Sequence, residues 1–223
     1  MKRASSITLC VLLASALAAP DAAAQWNVAR LATEPNRVYT TFGLDPAFVG
    51  SVGYGHVISV MKHAIQFTGD VGVATAHLDT RDFRARLGTQ TSLLRWRSLH
   101  LTGSATFIAR GTENSIYRGF DFGADLTATL GVYRHGWFAA GEFGKDKAVI
   151  TYVTNSDWYR THYYPGVKDG WYLDAGGTYH LGGTGGFALG RMEVAGRFGV
   201  LRTEHFKEMM PPMYASIGVG FAY

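Results

Sequence analysis

Cysteine is all but missing from this chain. The one copy, Cys10, lies in an apolar stretch at the amino terminus that reads as a cleaved segment, so no disulfide can staple the rest. Long hydrophobic runs are missing too: beyond residue 24 none approaches the ~20 apolar residues of a membrane helix, which excludes a helical membrane protein. Strong charge of one sign is also absent. Setting aside Lys2, Arg3 and Asp21 from the 21 basic and 17 acidic residues leaves a net of only +3, scattered along the chain, which argues against a nucleic-acid partner. Proline is scarce at 6 residues and charged residues make up 17%, which sets the chain apart from disordered segments and from ordinary soluble domains. Glycine and aromatic residues are plentiful instead, with 28 Gly, 13 Phe and 12 Tyr.

The amino terminus has a basic start (Met1, Lys2, Arg3), an apolar stretch over 7–19 and a small-residue site at Ala22, Ala23 and Ala24. This pattern predicts a secretory signal peptide over 1–24. Residues 25–36, with Trp26, Arg30 and Glu34 but no clear periodicity, are expected as a periplasmic N-terminal tail, with a position tucked into the fold as the alternative. Residues 37–223 then form a single domain.

Sustained alternation dominates that domain. Over 119–132, Phe120, Phe122, Ala124, Leu126, Leu130 and Val132 oppose Asp121, Asp125, Thr127 and Thr129, and two-residue periodicity of that length means strands. Soluble strands put Lys and Glu in water. Here Lys62, Lys145, Lys147, Lys168 and Lys207 are read at strand ends or in connections, and the polar faces combine small residues with Arg, Asp and Glu. Such faces suit a crowded interior where opposite charges pair, while the broad apolar faces suit lipid. The fold class expected is all-β: a transmembrane antiparallel up-and-down β-barrel.

Ten strands are expected, at 37–44, 47–58, 63–76, 81–95, 98–110, 117–133, 136–149, 168–181, 187–201 and 212–223, with eight as the alternative count. The short connections at 59–62, Trp96-Arg97, Arg134-His135 and "GGTGG" (182–186) fall at one end, and the longer ones near Glu113, 155–167 and 204–211 fall at the other. Trp96, Tyr133, Trp137, Tyr179 and Tyr223 are expected as an aromatic girdle at the short-turn end, with Tyr117, Trp158 and Trp171 as its counterpart.

The last strand ends in "SIGVGFAY", whose Ile217, Val219, Phe221 and Tyr223 form one stripe closing on an aromatic residue. This resembles the carboxy-terminal signature of bacterial outer-membrane β-barrel proteins, with Tyr in place of the usual Phe. The resemblance implies a bacterial outer-membrane location, outer-membrane lipid and lipopolysaccharide as surroundings, and biogenesis by periplasmic chaperones and the barrel assembly machinery. It singles out no family with a known activity.

The interior of the expected barrel carries a charge network of Arg84, Arg86, Asp121, Asp125, Glu142, Asp174, Arg191, Glu193 and Arg197. Asp121, Asp125 and Glu142 are expected to face Arg84, Arg86 and Arg197. Paired charges filling a narrow lumen are the plain account, and a small polar pore is the other. The segment 151–168, with Tyr152, Trp158, Tyr159, Arg160, His162, Tyr163 and Tyr164, has the composition of a binding surface, and equally of rim strands extending past the membrane. No catalytic set emerges. The His-x-Ser of lipid A deacylase barrels is absent, His100 and Ser104 are ~13 Å apart along one strand, and the spacings of Asp79 with Asp82 and of Glu204 with His205 point partners to opposite faces. His77, Asp79, Asp82, Glu204, His205 and Glu208 lack a tight ligand spacing, so neither a metal nor a cofactor is expected. The reading is a monomeric barrel of structural or surface-binding role, with a narrow solute channel or a lipid- or peptide-modifying enzyme as alternatives.

Overall fold

The structure is a computed structural model and describes residues 25–44, 48–61, 63–75 and 81–223. The expected signal peptide, the first loop at 45–47, and His77 and Asp79 lie outside the described residues.

Alternation produces ten strands: β1 (Asn36–Leu44), β2 (Phe48–Val60), β3 (His63–Ala74), β4 (Phe83–Trp96), β5 (Leu99–Glu113), β6 (Tyr117–Arg134), β7 (Trp137–Asn155), β8 (Gly170–Leu189), β9 (Met192–Thr203) and β10 (Glu208–Ala222). Each pairs antiparallel with its sequence neighbours. The sheet closes through β1 and β10, with Val38 opposite Phe221 and Thr40 opposite Val219. Because β1 pairs with both β2 and β10, the eight-stranded alternative is excluded.

The burial pattern is inverted relative to a soluble domain. On β6, Asp121, Asp125, Thr127 and Thr129 are buried, whereas Leu126 and Leu130 are 63% and 57% exposed. The same holds around the ring, where Val52, Val71, Leu87, Phe107, Leu181 and Phe198 all face out. The terminal stripe of Ile217, Val219, Phe221 and Tyr223 also faces outward.

Several expectations are corrected. "GGTGG" is not a turn: β8 runs through it to Leu189, and the reversal falls at Gly190 and Arg191, where Gly190 takes a φ of +60°. The glycines serve close packing instead. A Cβ on Gly182 would sit 2.5 Å from the Tyr214 hydroxyl, and one on Gly199 2.6 Å from it, so both must be glycine for Tyr214 to lie across the interior. Strand β7 runs past its expected end at 149 to Asn155, paired with a β8 that begins at Gly170, because bulges near Val149 and Asp174 let pairing resume from Ile150 and Leu173 after a register shift. β9 pairs with β8 only up to Thr203 opposite Thr178, so the β7–β8 hairpin stands taller than its β9 neighbour. Lys145 and Lys147 are therefore not at a strand end; they lie within β7 and point outward, between the inward Glu142, Gly144, Asp146 and Ala148.

The aromatic girdles are partly realised. Trp96, Trp137 and Tyr223 are exposed near the turn end, and Trp158 and Trp171 on the loop side. Tyr133 instead turns inward and stacks on Phe138 at 5.3 Å, Tyr117 is buried, and Tyr179 lies opposite Arg202, near the β9–β10 loop rather than the turn end. Inward phase on the alternating strand decides the first two.

Residues 25–35 are not a free tail. They enter the barrel at the turn end, where Gln25, Trp26, Asn27, Arg30 and Leu31 are buried, and Trp26 packs on Tyr39 with ring centroids 5.3 Å apart. The alternative position, tucked inside, is the one observed.

Candidate functional site

The interior is a column of paired charges, built because every second residue of each strand projects into it. At the turn end, Glu193 accepts from the Asn27 backbone N–H at 2.8 Å and from Arg37 at 3.0 Å, with Arg30 at 3.9 Å. Glu34 joins Arg30 and Arg37. The Gln90 side chain grips the backbone of Trp26 from both sides, accepting from its N–H at 3.2 Å and donating to its carbonyl at 3.0 Å.

Farther in, Arg197 reaches Glu142 through Nε at 2.9 Å and a terminal nitrogen at 2.8 Å, and the Tyr214 hydroxyl donates to the same carboxylate. His180 Nε2 lies 2.8 Å from Asp125, which also accepts from the Thr127 hydroxyl at 2.6 Å. Across the lumen, Asp70 accepts from Arg86 at 2.7 Å and from the Tyr39 hydroxyl at 2.9 Å. Toward the loops, Arg110 joins Asp121 at 3.3 Å and also pairs with Asp146. A cavity lined by Gln25, Gln90, Asp125 and Arg197 has a volume of about 20 Å³, room for a single water.

Of the residues expected in this network, Arg86, Asp121, Asp125, Glu142, Glu193 and Arg197 take buried places in it, and Arg84 lies half-buried on the same face. Within the network Glu142 meets Arg197, Asp121 meets Arg110, Arg86 meets Asp70, and Asp125 meets His180. Two residues do not belong. Asp174 sits in the β8 bulge with a φ of +56°, which turns its side chain outward, 74% exposed, to pair with Lys147. Arg191 lies in the β8–β9 turn and is exposed, because that turn falls later than "GGTGG". Asp146 was missed as an inward acid, although its signal is plain once the alternation of Glu142, Gly144 and Asp146 is carried past Lys145.

A hydroxyl–imidazole pair forms between two strands, where spacing along either one does not reveal it. Ser92 Oγ lies 3.0 Å from His100 Nδ1 across the β4–β5 hairpin. The ring is buried against Tyr133, and among the described residues no carboxylate contacts it, so the third member of a hydrolytic triad is lacking. Among the described residues, no three His, Cys, Asp or Glu side chains gather as metal ligands. Glu204 pairs with Lys145 and Lys147, and His205 is exposed in its turn.

The loop between β7 and β8 carries the second expected set. Ser156 caps a short helix, α1 (Asp157–His162), by accepting from the Tyr159 N–H at 3.2 Å. Tyr159 is buried under the loop, while Trp158 packs on His162 at 5.5 Å and on Tyr163 at 5.2 Å. Tyr164 is exposed beside them. Tyr152 is separate from the helix and packs against Trp171 on the outer face of the hairpin, at 5.0 Å.

Asp169 fastens the loop. It accepts from Arg160, from the Asn155 backbone N–H at 2.8 Å and from the Asn155 amide at 3.0 Å. These bonds, Arg160 first, hold its carboxyl at about 2, below the ordinary 3.8. With the folded value depressed, the clasp is complete above about pH 4 and lost as pH falls through about 2. Hydrogen-exchange protection of the Asn155 amide should therefore be flat from pH 7 to 4 and then drop. The Asp169→Asn variant should show no such step, and an identical step in it would refute the assignment.

No family model matches the chain, and no curated protein matches it. Among solved structures, the outer membrane protein Omp33 of Acinetobacter baumannii aligns over 85% of this chain and 98% of its own, at 9% identity and a TM-score of 0.33. The fold assignment rests on the closed strand pairing described above.

Proposed function

We propose that this protein is a monomeric bacterial outer-membrane barrel with a closed lumen, whose role is structural or surface-binding through the tall β7–β8 hairpin and its aromatic loop. The observation that carries the reading is the inverted wall: ion pairs are enclosed while large apolar side chains on every strand face outward. A soluble monomer exposes apolar patches of only a few hundred Å². A closed barrel satisfies its backbone groups internally and can place such a wall in hydrocarbon.

The height of the wall agrees. Eight residues along β7 separate the exposed Trp137 from Lys145. At ~3.3 Å per residue and ~40° tilt this is ~20 Å, close to the ~25 Å apolar band of such barrels. The outward stripe of Ile217, Val219, Phe221 and Tyr223 suits recognition by an assembly machinery during insertion. The filled interior favours a scaffold over a solute channel.

Purified protein in a planar bilayer should show no conductance steps, while running as a heat-modifiable band in detergent. A variant lacking 156–164 should keep that band but lose any surface ligand of the intact protein. Discrete openings in the intact chain would replace this reading with the channel, and a detergent-independent soluble chain would remove it altogether.

A further inference from the structure

The outward face of β7, β8 and β9 changes character abruptly at one level. Phe143, Leu181 and Val200 are register partners across the three strands and form an apolar, exposed row. Two residues farther toward the loops, the corresponding row is Lys145, Tyr179 and Arg202. Lys147 stands one step above, opposite Gly177, whose carbonyl accepts from the Glu204 N–H. Three cations thus gather on a wall otherwise built of apolar side chains.

Their ion pairing within the protein is uneven. Lys145 and Lys147 converge on the single Glu204 carboxylate, at 3.0 and 2.7 Å, and Lys147 also meets the largely exposed Asp174. Arg202 donates to the Leu201 carbonyl at 3.0 Å, and among the described residues no carboxylate lies within ion-pair distance of it. Glu208, the register partner of Arg202 on β10, brings the acids on this face to three, so the surplus is of N–H donors rather than of net charge. Each ammonium carries three donors and the guanidinium five, so several N–H groups still point outward for an acceptor. Beside them is a flat aromatic platform: Tyr179 stacks on Phe206 at 4.8 Å, and the Lys145 ammonium lies 5.2 Å from the Tyr179 ring centre.

We infer that Lys145, Lys147 and Arg202 form a binding site for the phosphate of a phosphorylated lipid headgroup, with its acyl chains lying on Phe143, Leu181 and Val200. The site deepens the membrane reading above and rests on it. An amphiphile is chosen over a free anion because the cations border the apolar row directly. A ligand bound there meets hydrocarbon-facing surface on one side and unsatisfied cationic donors on the other. Phosphate offers several charged acceptor oxygens, enough to engage donors that arrive from three strands.

The test is native mass spectrometry of the full barrel released from neutral-detergent micelles loaded with bisphosphorylated, hexa-acylated lipid A. The Lys145→Gln, Lys147→Gln, Arg202→Gln triple variant should retain at least about tenfold less lipid. The unsubstituted protein should show a similar loss when the lipid A has been stripped of its phosphates. Millimolar inorganic phosphate should not displace the adduct, and Lys145→Arg with Lys147→Arg should preserve it. Retention unmoved by the triple substitution or by dephosphorylation overturns the site, and ready displacement by inorganic phosphate makes it a free-anion site and overturns the lipid assignment. Heat-modifiable mobility of every variant is recorded alongside. If the unsubstituted chain fails to enter micelles as such a band, the membrane reading falls and takes the site with it; if all variants enter and retention is unchanged, the site alone falls.

Discussion

Arg197→Ala is expected to lower the stability of the folded barrel by about 3–5 kcal/mol, read as an earlier midpoint in urea unfolding from detergent or lipid. The magnitude follows from what is left behind. Glu142 is 2% exposed, and Arg197 supplies three of its hydrogen bonds, at 3.2, 2.9 and 2.8 Å. Without that guanidinium, an ionised carboxylate stays buried with Tyr214 as its hydroxyl donor and His180 3.8 Å away. His180 is already engaged by Asp125 and cannot neutralise both acids fully. Replacing both members, Arg197→Met with Glu142→Gln, removes the orphaned charge together with its partner and should recover a good part of the loss. A single variant that loses less than about 1 kcal/mol, or a double variant no better than the single, would mean that the pair is wetter than its burial implies.

Trp26→Ala should release the amino-terminal segment from the barrel without opening the wall. The indole is fully buried, stacks under the Arg37 guanidinium at 4.6 Å and contacts Tyr39. It fits because β10 offers glycine beside it: a Cβ on Gly220 would come within 3.0 Å of the ring. Truncating a buried tryptophan costs about 3–5 kcal/mol in lost contacts and cavity. That loss falls on the seat of residues 25–35 rather than on the strand ladders, because none of these residues belongs to a strand. Arg30 is buried in the native protein and donates to the Gly190 carbonyl at 2.6 Å, so trypsin should cut there slowly. In the variant, cleavage after Arg30 should accelerate at least about 100-fold while heat-modifiable mobility persists. Unchanged resistance would show that Gln90 and Glu193 hold the segment alone.

How much was readable beforehand differs between wall and interior. The unbroken alternation over 119–132 specified both strand state and face, since inward and outward side chains of a strand must occupy alternate positions, and β6 obeys it from Asp121 to Leu130. Glycine misled at "GGTGG", where its usual meaning as a turn residue lost to the need for space beneath Tyr214. Lys145 and Lys147 mislead in the opposite sense, because lysine on an outward face suggests the end of a strand, whereas here it marks a polar level partway along a long one.

The residue pattern by itself determined the antiparallel order and the inside-out distribution of charge, because both follow from a period of two and from the length of each run. Ten strands over eight was decided by the pairing of β1 with both β2 and β10. Which charge meets which was decided only by the closed sheet. Arg86 finds Asp70, Arg110 finds Asp146, and Glu193 finds Arg37 across strand pairings that bring together residues 16, 36 and 156 positions apart. The tertiary structure also decided that Asp174 leaves the interior at a bulge and that Trp26 enters it. A one-residue shift inverts a side chain's face, and a segment without periodicity has no face until something surrounds it.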